Sequence, residues 1–161
     1  MSNVVRFSCA ADVFAKADVL FRKVEADLRA CLPDADIHHV GSTAIPGSLT
    51  KGDLDVLVRV HRESFERAED VLAGMYDRNT ESSRTSGFSA FMDISTDPEL
   101  GIQLVVIDGA EDTFLVWRQK LRSDTLLRQE YDDLKRAYEA KPMDDYRKAK
   151  ARFITRHLNG G

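Results

Sequence analysis

The sequence predicts an α+β (α/β) fold, a mixed β-sheet covered by helices, in one domain spanning residues 1–161. Three observations lead there. Residues 12–32 set Val13, Ala17, Leu20, Phe21, Val24, Leu28 and Leu32 along one helical face. Short β-type runs then recur at 37–40, 54–60, 88–93 and 102–107. The final third returns to helical spacing, without internal repeats or low-complexity linkers.

The first helix is stopped by Pro33, which cannot continue a helical hydrogen-bond ladder. Ile37 to Val40 is a short strand candidate, and residues 41–52, rich in Gly, Ser, Thr and Pro, read as a loop or brief helical turn. Leu54 to Val60 is the clearest strand. Phe65, Ala68, Val71, Leu72 and Met75 share one face of a helix over 63–75, and Asp77 to Gly87 reads as a polar loop. Phe88–Asp93 and Ile102–Ile107 flank turn chemistry at 96–101, so they are expected to pair antiparallel. Phe114, Trp117 and Leu121 mark one late helix, and Leu127, Tyr131, Leu134 and Tyr138 a second. Tyr146, Lys150, Phe153 and His157 mark a third, with Lys150 expected at its rim and Asp144 and Asp145 near its start, where the helix dipole favours negative charge.

Composition narrows the functional classes. The chain is 43% hydrophobic and 31% charged, ordinary for a globular protein. No apolar run approaches the roughly 20 residues that cross a bilayer, and no leader-like segment opens the chain, so a cytoplasmic protein without membrane contact is expected. Cys9 and Cys31 lack metal-type spacing and are expected as reduced, buried thiols. The net charge of −4 argues against broad affinity for nucleic acid, so nucleic acid is not expected as a partner. A small phosphorylated ligand needs only a local basic site.

The chemistry concentrates between Gly41 and Val58. Asp53 and Asp55 stand at i and i+2 at the opening of a strand, so alternation puts both carboxylates on one side. Two adjacent carboxylates repel unless a cation separates them or one is protonated. Mg²⁺, or Mn²⁺, is bound by such oxygens and completes its shell with water and phosphate. Upstream, Gly41 permits close backbone approach and Ser42 offers a hydroxyl where free N–H groups of a helical turn would meet phosphate. Lys51 stands ready to balance charge. Arg118 and Arg122, one helical turn apart, read either as a solvated or salt-bridged pair or as a phosphate contact. A metal role for His38 or His39 has no spaced partner, and Trp117 reads as core.

Gly-Ser after a short strand, followed about ten residues later by Asp-x-Asp opening an apolar strand, resembles the DNA polymerase beta-like nucleotidyltransferase superfamily. A closer resemblance is carried by His39-Val40-Gly41-Ser42-Thr43-Ala44-Ile45-Pro46-Gly47, by Trp117-Arg118-Gln119-Lys120-Leu121-Arg122, by Glu130 to Lys135 and by Tyr146 to Ile154. Together these are similar to the GrpB-like branch of that fold. The resemblance implies a nucleotidyltransferase fold, metal on the two aspartates and nucleotide phosphate on the Gly-Ser turn. Two departures stand out. The family usually keeps only the second aspartate, whereas Asp53 restores the first. The late strand tends to carry His-x-His and reads Gln103-Leu104-Val105 here, so a third acidic ligand is missing unless Asp93 or Asp108 supplies it.

Two functions follow. One is Mg²⁺-assisted transfer of a nucleotidyl group from a nucleoside triphosphate to an unidentified small acceptor, using Asp53, Asp55 and Gln103 with Gly41, Ser42, Lys51, Arg118 and Arg122. The other is a catalytically silent nucleotide- or phosphate-binding module with the same cleft. The sequence does not set the oligomeric state.

Overall fold

The structure, a computed structural model, describes residues 4–159. Five strands form one mixed sheet in the order β1-β2-β5-β4-β3. β1 (Asp36–Val40) pairs antiparallel with β2 (Leu54–Val60), which runs parallel to β5 (Leu100–Val106). β4 (Phe88–Asp93) is antiparallel to β5, the expected hairpin. The polar stretch after residue 76 is not wholly loop: Asp77–Arg78 forms β3, pairing antiparallel with Phe91 and Met92. A two-residue edge strand leaves no periodicity to read.

Helices cover both faces. Leu54, Val56, Val58 and Val60 of β2 and Leu100, Ile102, Leu104 and Val106 of β5 pack under Val24 and Leu28 of α1 (Ala11–Cys31). Phe65, Ala68 and Leu72 of α2 (Phe65–Met75) complete that layer. The opposite face offers Val40, Leu57, Phe88, Ala90 and Val105 to Phe114 and Leu115 of α3 (Phe114–Ser123). α4 (Thr125–Ala137) and α5 (Met143–Asn159) extend this layer, joining Tyr131 and Phe153 to Ile45, Leu121 and Leu127, with Trp117 packed against both rings.

Strands covered on both faces read as nearly continuous apolar runs. β2 and β5 do so except at Asp55, Arg59, Gly101 and Gln103, all facing α3–α5. Arg59 is accounted for: it donates to Asp36 at 2.6 Å and to both oxygens of Asp112 at 2.9 and 2.7 Å. These bonds hold its guanidinium above its ordinary range; against burial, which raises both carboxyls, they hold Asp112 below its own, and with a hydrogen bond from His38 they do the same for Asp36. Asp55 and Gln103 have no such structural closure, and they mark the site. No described helix is long and apolar enough to cross a membrane. Of the two thiols, Cys31 is half-buried but Cys9 is exposed, against expectation, because it lies in the extended segment before α1 and not on a packed face.

Candidate functional site

The turn that leaves β1 is built around Gly41 (φ +77°), followed by a 3-10 turn over Ser42–Ala44. Gly41 sits against the Asp55 carboxylate so closely that a Cβ there would collide with Asp55 Oδ2. Gly101, opposite Asp55 on β5, plays the matching part: a Cβ would stand 3.0 Å from Asp55 Oδ1 and 3.5 Å from Gln103 Nε2. A side chain is excluded at Gly41, whereas at Gly101 it would force the Asp55 carboxylate to shift by a few tenths of an ångström. The turn is anchored by a relay. Thr43 Oγ1 donates to the Asp53 carbonyl at 3.0 Å, so its 2.8 Å contact with His39 Nε2 requires the imidazole to donate. His39 stacks on Phe21, and burial pushes its pKa down.

Asp55 is half-buried, its carboxylate set deep among protein atoms. Burial raises its pKa; Lys150 opposes this, the Asp53 charge adds to it, and a hydrogen bond from Gln103 opposes it again. Asp53 lies just before β2, more exposed, with Lys51 Nζ 3.3 Å from its carboxylate. The two aspartates thus act on each other but line separate spaces rather than one side of a strand, because β2 begins at Leu54 and alternation does not fix the direction of Asp53. Asp53 lines an open groove of about 860 Å³ with Lys16, Lys51, Asp97, Glu99 and Arg147. Asp55 lines a narrower, partly open cavity of about 160 Å³ with Gly41, Ser42, Gln103, Arg118, Tyr131 and Lys150. α5 roofs both: Met143 and Arg147 reach the groove, Lys150 and Ile154 the cavity, a single stripe at spacings of four, three and four. The Ser42 hydroxyl in the cavity wall meets the Thr50 hydroxyl of the groove wall at 2.8 Å.

The two arginines hold the turn. Arg118 donates to the His39 carbonyl at 2.9 Å, and Arg122 donates twice to the Ala44 carbonyl, at 3.2 and 2.9 Å. Arg122 lies outside the cavity lining. Arg118 lines it, and its Nε is buried without a partner among the described residues. Neither candidate for a third carboxylate reaches the pair. Asp93 lies across from Leu100, on the sheet face turned away from Asp55, and accepts from Ser95. Asp108 is exposed beyond the far end of β5. Gln103, two residues beyond Gly101 on the same face of β5, reaches back to hydrogen-bond the Asp55 carboxylate.

Sequence reasoning placed Lys150 at a rim and left Asp132 and Lys135 unused. Asp132 Oδ1 accepts from the Ser48 hydroxyl at 2.9 Å and the Leu49 amide at 3.1 Å. Lys135, only 1% exposed, donates to the Leu49 carbonyl at 2.6 Å and lies 4.1 Å over the Tyr131 ring. Burial pulls its pKa down to about 8 despite Asp132. These residues clamp the loop leading to Lys51. The signal was a lysine continuing the Leu127–Tyr131 stripe at a spacing of four, with an aspartate one turn before it.

A divalent cation fits the donor set in a limited way. Two carboxylates, one desolvated and destabilised by the other, offer hard oxygen donors. Among the described residues no three His, Cys, Asp or Glu side chains gather as a metal cluster, so most coordination positions would fall to water and ligand oxygens.

This constellation, with a Gly-Ser turn against a strand carrying Asp-x-Asp, defines the chain as a protein of the nucleotidyltransferase-like fold. It belongs to the GrpB family: the profile described as GrpB protein matches residues 15–159. A UPF0157 protein of Vibrio cholerae is 35% identical over 160 residues, covering 98% of this chain and 84% of the relative. A UPF0157 protein of Streptomyces coelicolor is 29% identical over 148 residues, covering 86% and 75%. Among solved structures, conserved protein GrpB from Enterococcus faecalis superposes with a TM-score of 0.62 at 18% identity, over 89% of this chain and 95% of that one. Cid1 poly(U) polymerase with MgGTP bound gives 0.56 at 14% identity, over 80% of this chain but 42% of the polymerase. A cytoplasmic RNA terminal U-transferase gives 0.55 at 14%, over 80% and 39%. These last matches correct the expectation drawn from net charge that nucleic acid is not a partner. The fold is shared with a poly(U) polymerase and an RNA terminal U-transferase, and a net charge of −4 reports the whole surface, not the groove, whose lining balances Arg6, Lys16, Lys51 and Arg147 against Asp12, Asp53, Asp97 and Glu99.

Proposed function

We propose that this chain binds a nucleoside triphosphate in the α5-roofed cleft and acts as a Mg²⁺-dependent nucleotidyltransferase-like protein on a small acceptor. The observation that carries the reading is the desolvated Asp55 carboxylate, held between Gly41 and Gly101 and near enough to Asp53 for the two charges to act on each other. A pocket of several hundred Å³ suits a nucleotide, which assigns it to the groove. Lys51, Ser42 and Arg118 would balance and orient phosphate at the junction. Asp53 and Asp55 would hold Mg²⁺, which supplies charge neutralisation on phosphate oxygens. In transfer, the acceptor oxygen or nitrogen bonds to the α-phosphorus, the bond to the β-phosphate bridge breaks, and pyrophosphate departs with the electron pair. The acceptor proton needs a base.

That need favours a second reading, a nucleotide-binding module without turnover. Gln103 stands where a third carboxylate is expected, and an amide accepts a proton far too weakly at neutral pH. The test is incubation with labelled triphosphates and Mg²⁺, offering a metabolite extract and, separately, an RNA oligonucleotide. Labelled product at multiple turnover supports the transferase. Silence in the wild type with product from Gln103→Asp supports the module and locates the loss at this residue. Triphosphates that neither bind nor react exclude both.

A further inference from the structure

Residues 4–8 form a strap that borders the groove and lies before the segment matched by the GrpB profile. The strap is pinned at both ends. Val5, wholly buried, donates from its amide to the Lys141 carbonyl at 3.0 Å and accepts at its carbonyl from the Ala140 amide at 2.8 Å. Ser8 and Thr50 exchange a second such pair of backbone hydrogen bonds, at 2.8 and 2.9 Å. Between these anchors the Phe7 amide donates to Glu139 Oε2 at 3.0 Å. The antiparallel bridge of Ser8 with Thr50 sets Phe7 beside Lys51, and both line the groove. Lys51 in turn stands 3.3 Å from the Asp53 carboxylate. Among the described residues Phe7 is the only aromatic side chain lining the groove, with Val4, Val13, Pro98 and Met143 as its apolar company. Its ring meets Tyr146 edge to face, centroids 5.1 Å apart and planes 76° apart, yet stays half-exposed while Tyr146 is buried.

The basic residues of the groove already have acidic neighbours. Lys16 lies 3.5 Å from Asp97, Lys51 3.3 Å from Asp53, Arg147 3.3 Å from Glu81 and Arg6 3.9 Å from Glu139. A polyanion gains little net attraction from a solvated wall whose charges are paired in this way. A ligand that settles here must draw on an uncharged contact as well. A half-exposed ring on a fixed backbone supplies one, because aromatic faces stack on nucleobases and lose little freedom in doing so. We propose that Phe7 is the platform for a nucleobase, so that the groove selects a nucleotide over a bare polyphosphate. The base lies on the Phe7 ring, and the phosphates run along the groove wall towards Lys51 and Asp53. Phe7 is thereby a specificity-determining residue, an assignment that rests on the nucleotide reading of the groove given above.

The test is calorimetric titration of the full chain, with Mg²⁺ present, with ATP, adenosine and inorganic tripolyphosphate, repeated on Phe7→Leu and Phe7→Tyr. Leucine keeps an apolar contact with Tyr146 and removes the flat ring, and tyrosine keeps the ring. The wild type is expected to bind ATP about tenfold more tightly than tripolyphosphate. Phe7→Leu is expected to lose that advantage with tripolyphosphate affinity unchanged, and Phe7→Tyr to retain it. Wild-type affinity for ATP in Phe7→Leu, or equal losses for ATP and tripolyphosphate, overturns the platform; the second result would mark Phe7 as a strut of the strap. If Phe7→Leu fails to fold, nuclear magnetisation transfer between adenine and Phe7 ring protons in the wild type decides, its presence supporting the platform and its absence overturning it. The outcomes also separate the two ideas. ATP binding that ignores Phe7 removes the platform and leaves the nucleotide reading standing. Adenosine binding that depends on Phe7, with no gain from the triphosphate, keeps the platform and removes the transferase reading. Failure of both ATP and adenosine to bind removes both.

Discussion

Gly41 lies directly against the Asp55 carboxylate, leaving no room for a Cβ between the turn and the strand. The pair joins the first element of the site to the second, and Gly41 also has a backbone conformation, φ +77°, that side chains resist. Gly41→Ala is therefore expected to cost about 2 kcal/mol or more in urea unfolding, combining strain with the collision. It should also displace Asp55 and weaken nucleotide binding. A G41A protein as stable as the wild type would mean that the turn can move away without consequence.

His39 supplies a pH dependence with a definite sign. Burial depresses its pKa below the ordinary 6.5, ahead of the opposing charge of Asp18. The unfolded chain thus takes up a proton that the folded chain resists. The stability His39 contributes is present above about pH 6.5 and is lost as pH falls through the depressed value. The melting temperature should fall on acidification from pH 7 to 5, and His39→Gln should flatten that limb. Equal slopes in both proteins would remove His39 as the cause.

The Asp132–Lys135 clamp predicts a large effect far from any ligand. Asp132→Ala removes the acceptor for Ser48 and the Leu49 amide and leaves Lys135 buried without its counter-charge. Breaking such a pair costs about 3 kcal/mol at neutral pH. Lys135 titrates near 8 in the folded chain, below the ordinary lysine value of 10.5. The unfolded chain holds the extra proton between these values, so stability from this group rises with pH across that window. The D132A defect should shrink towards pH 10. Urea unfolding at pH 7 and pH 9.5 measures this; a defect independent of pH would deny the buried charge its part.

The sheet, its hairpin and the five α-helices were legible because their apolar periodicity is long and regular. Residues 12–32 and 54–60 were read to within a residue or two of α1 and β2. β3 was missed because two edge residues carry no period. Gly41, Ser42 and Asp55 were singled out from the motif, but the packing of Gly41 against the Asp55 carboxylate was not, since it depends on how β1 pairs with β2. What α5 does was not. Lys150 enters the cavity through the fold of three helices back onto the sheet, and nothing local distinguishes it from a solvated lysine. Arg118 and Arg122 likewise required tertiary structure: their partners are carbonyls 79 and 78 residues away, and carbonyls leave no mark in a sequence.

The most direct test of the account is titration of a nucleoside triphosphate with Mg²⁺ into the wild type and Asp55→Asn. The substitution keeps the shape between Gly41 and Gly101 and removes the charge that burial already disfavours, so the variant should fold at least as stably. The account predicts that Mg²⁺ alone binds the wild type weakly, that it binds better with a triphosphate present, and that Asp55→Asn abolishes the nucleotide-dependent heat. Undiminished binding by a folded Asp55→Asn protein would contradict the assignment and move the site elsewhere on the molecule.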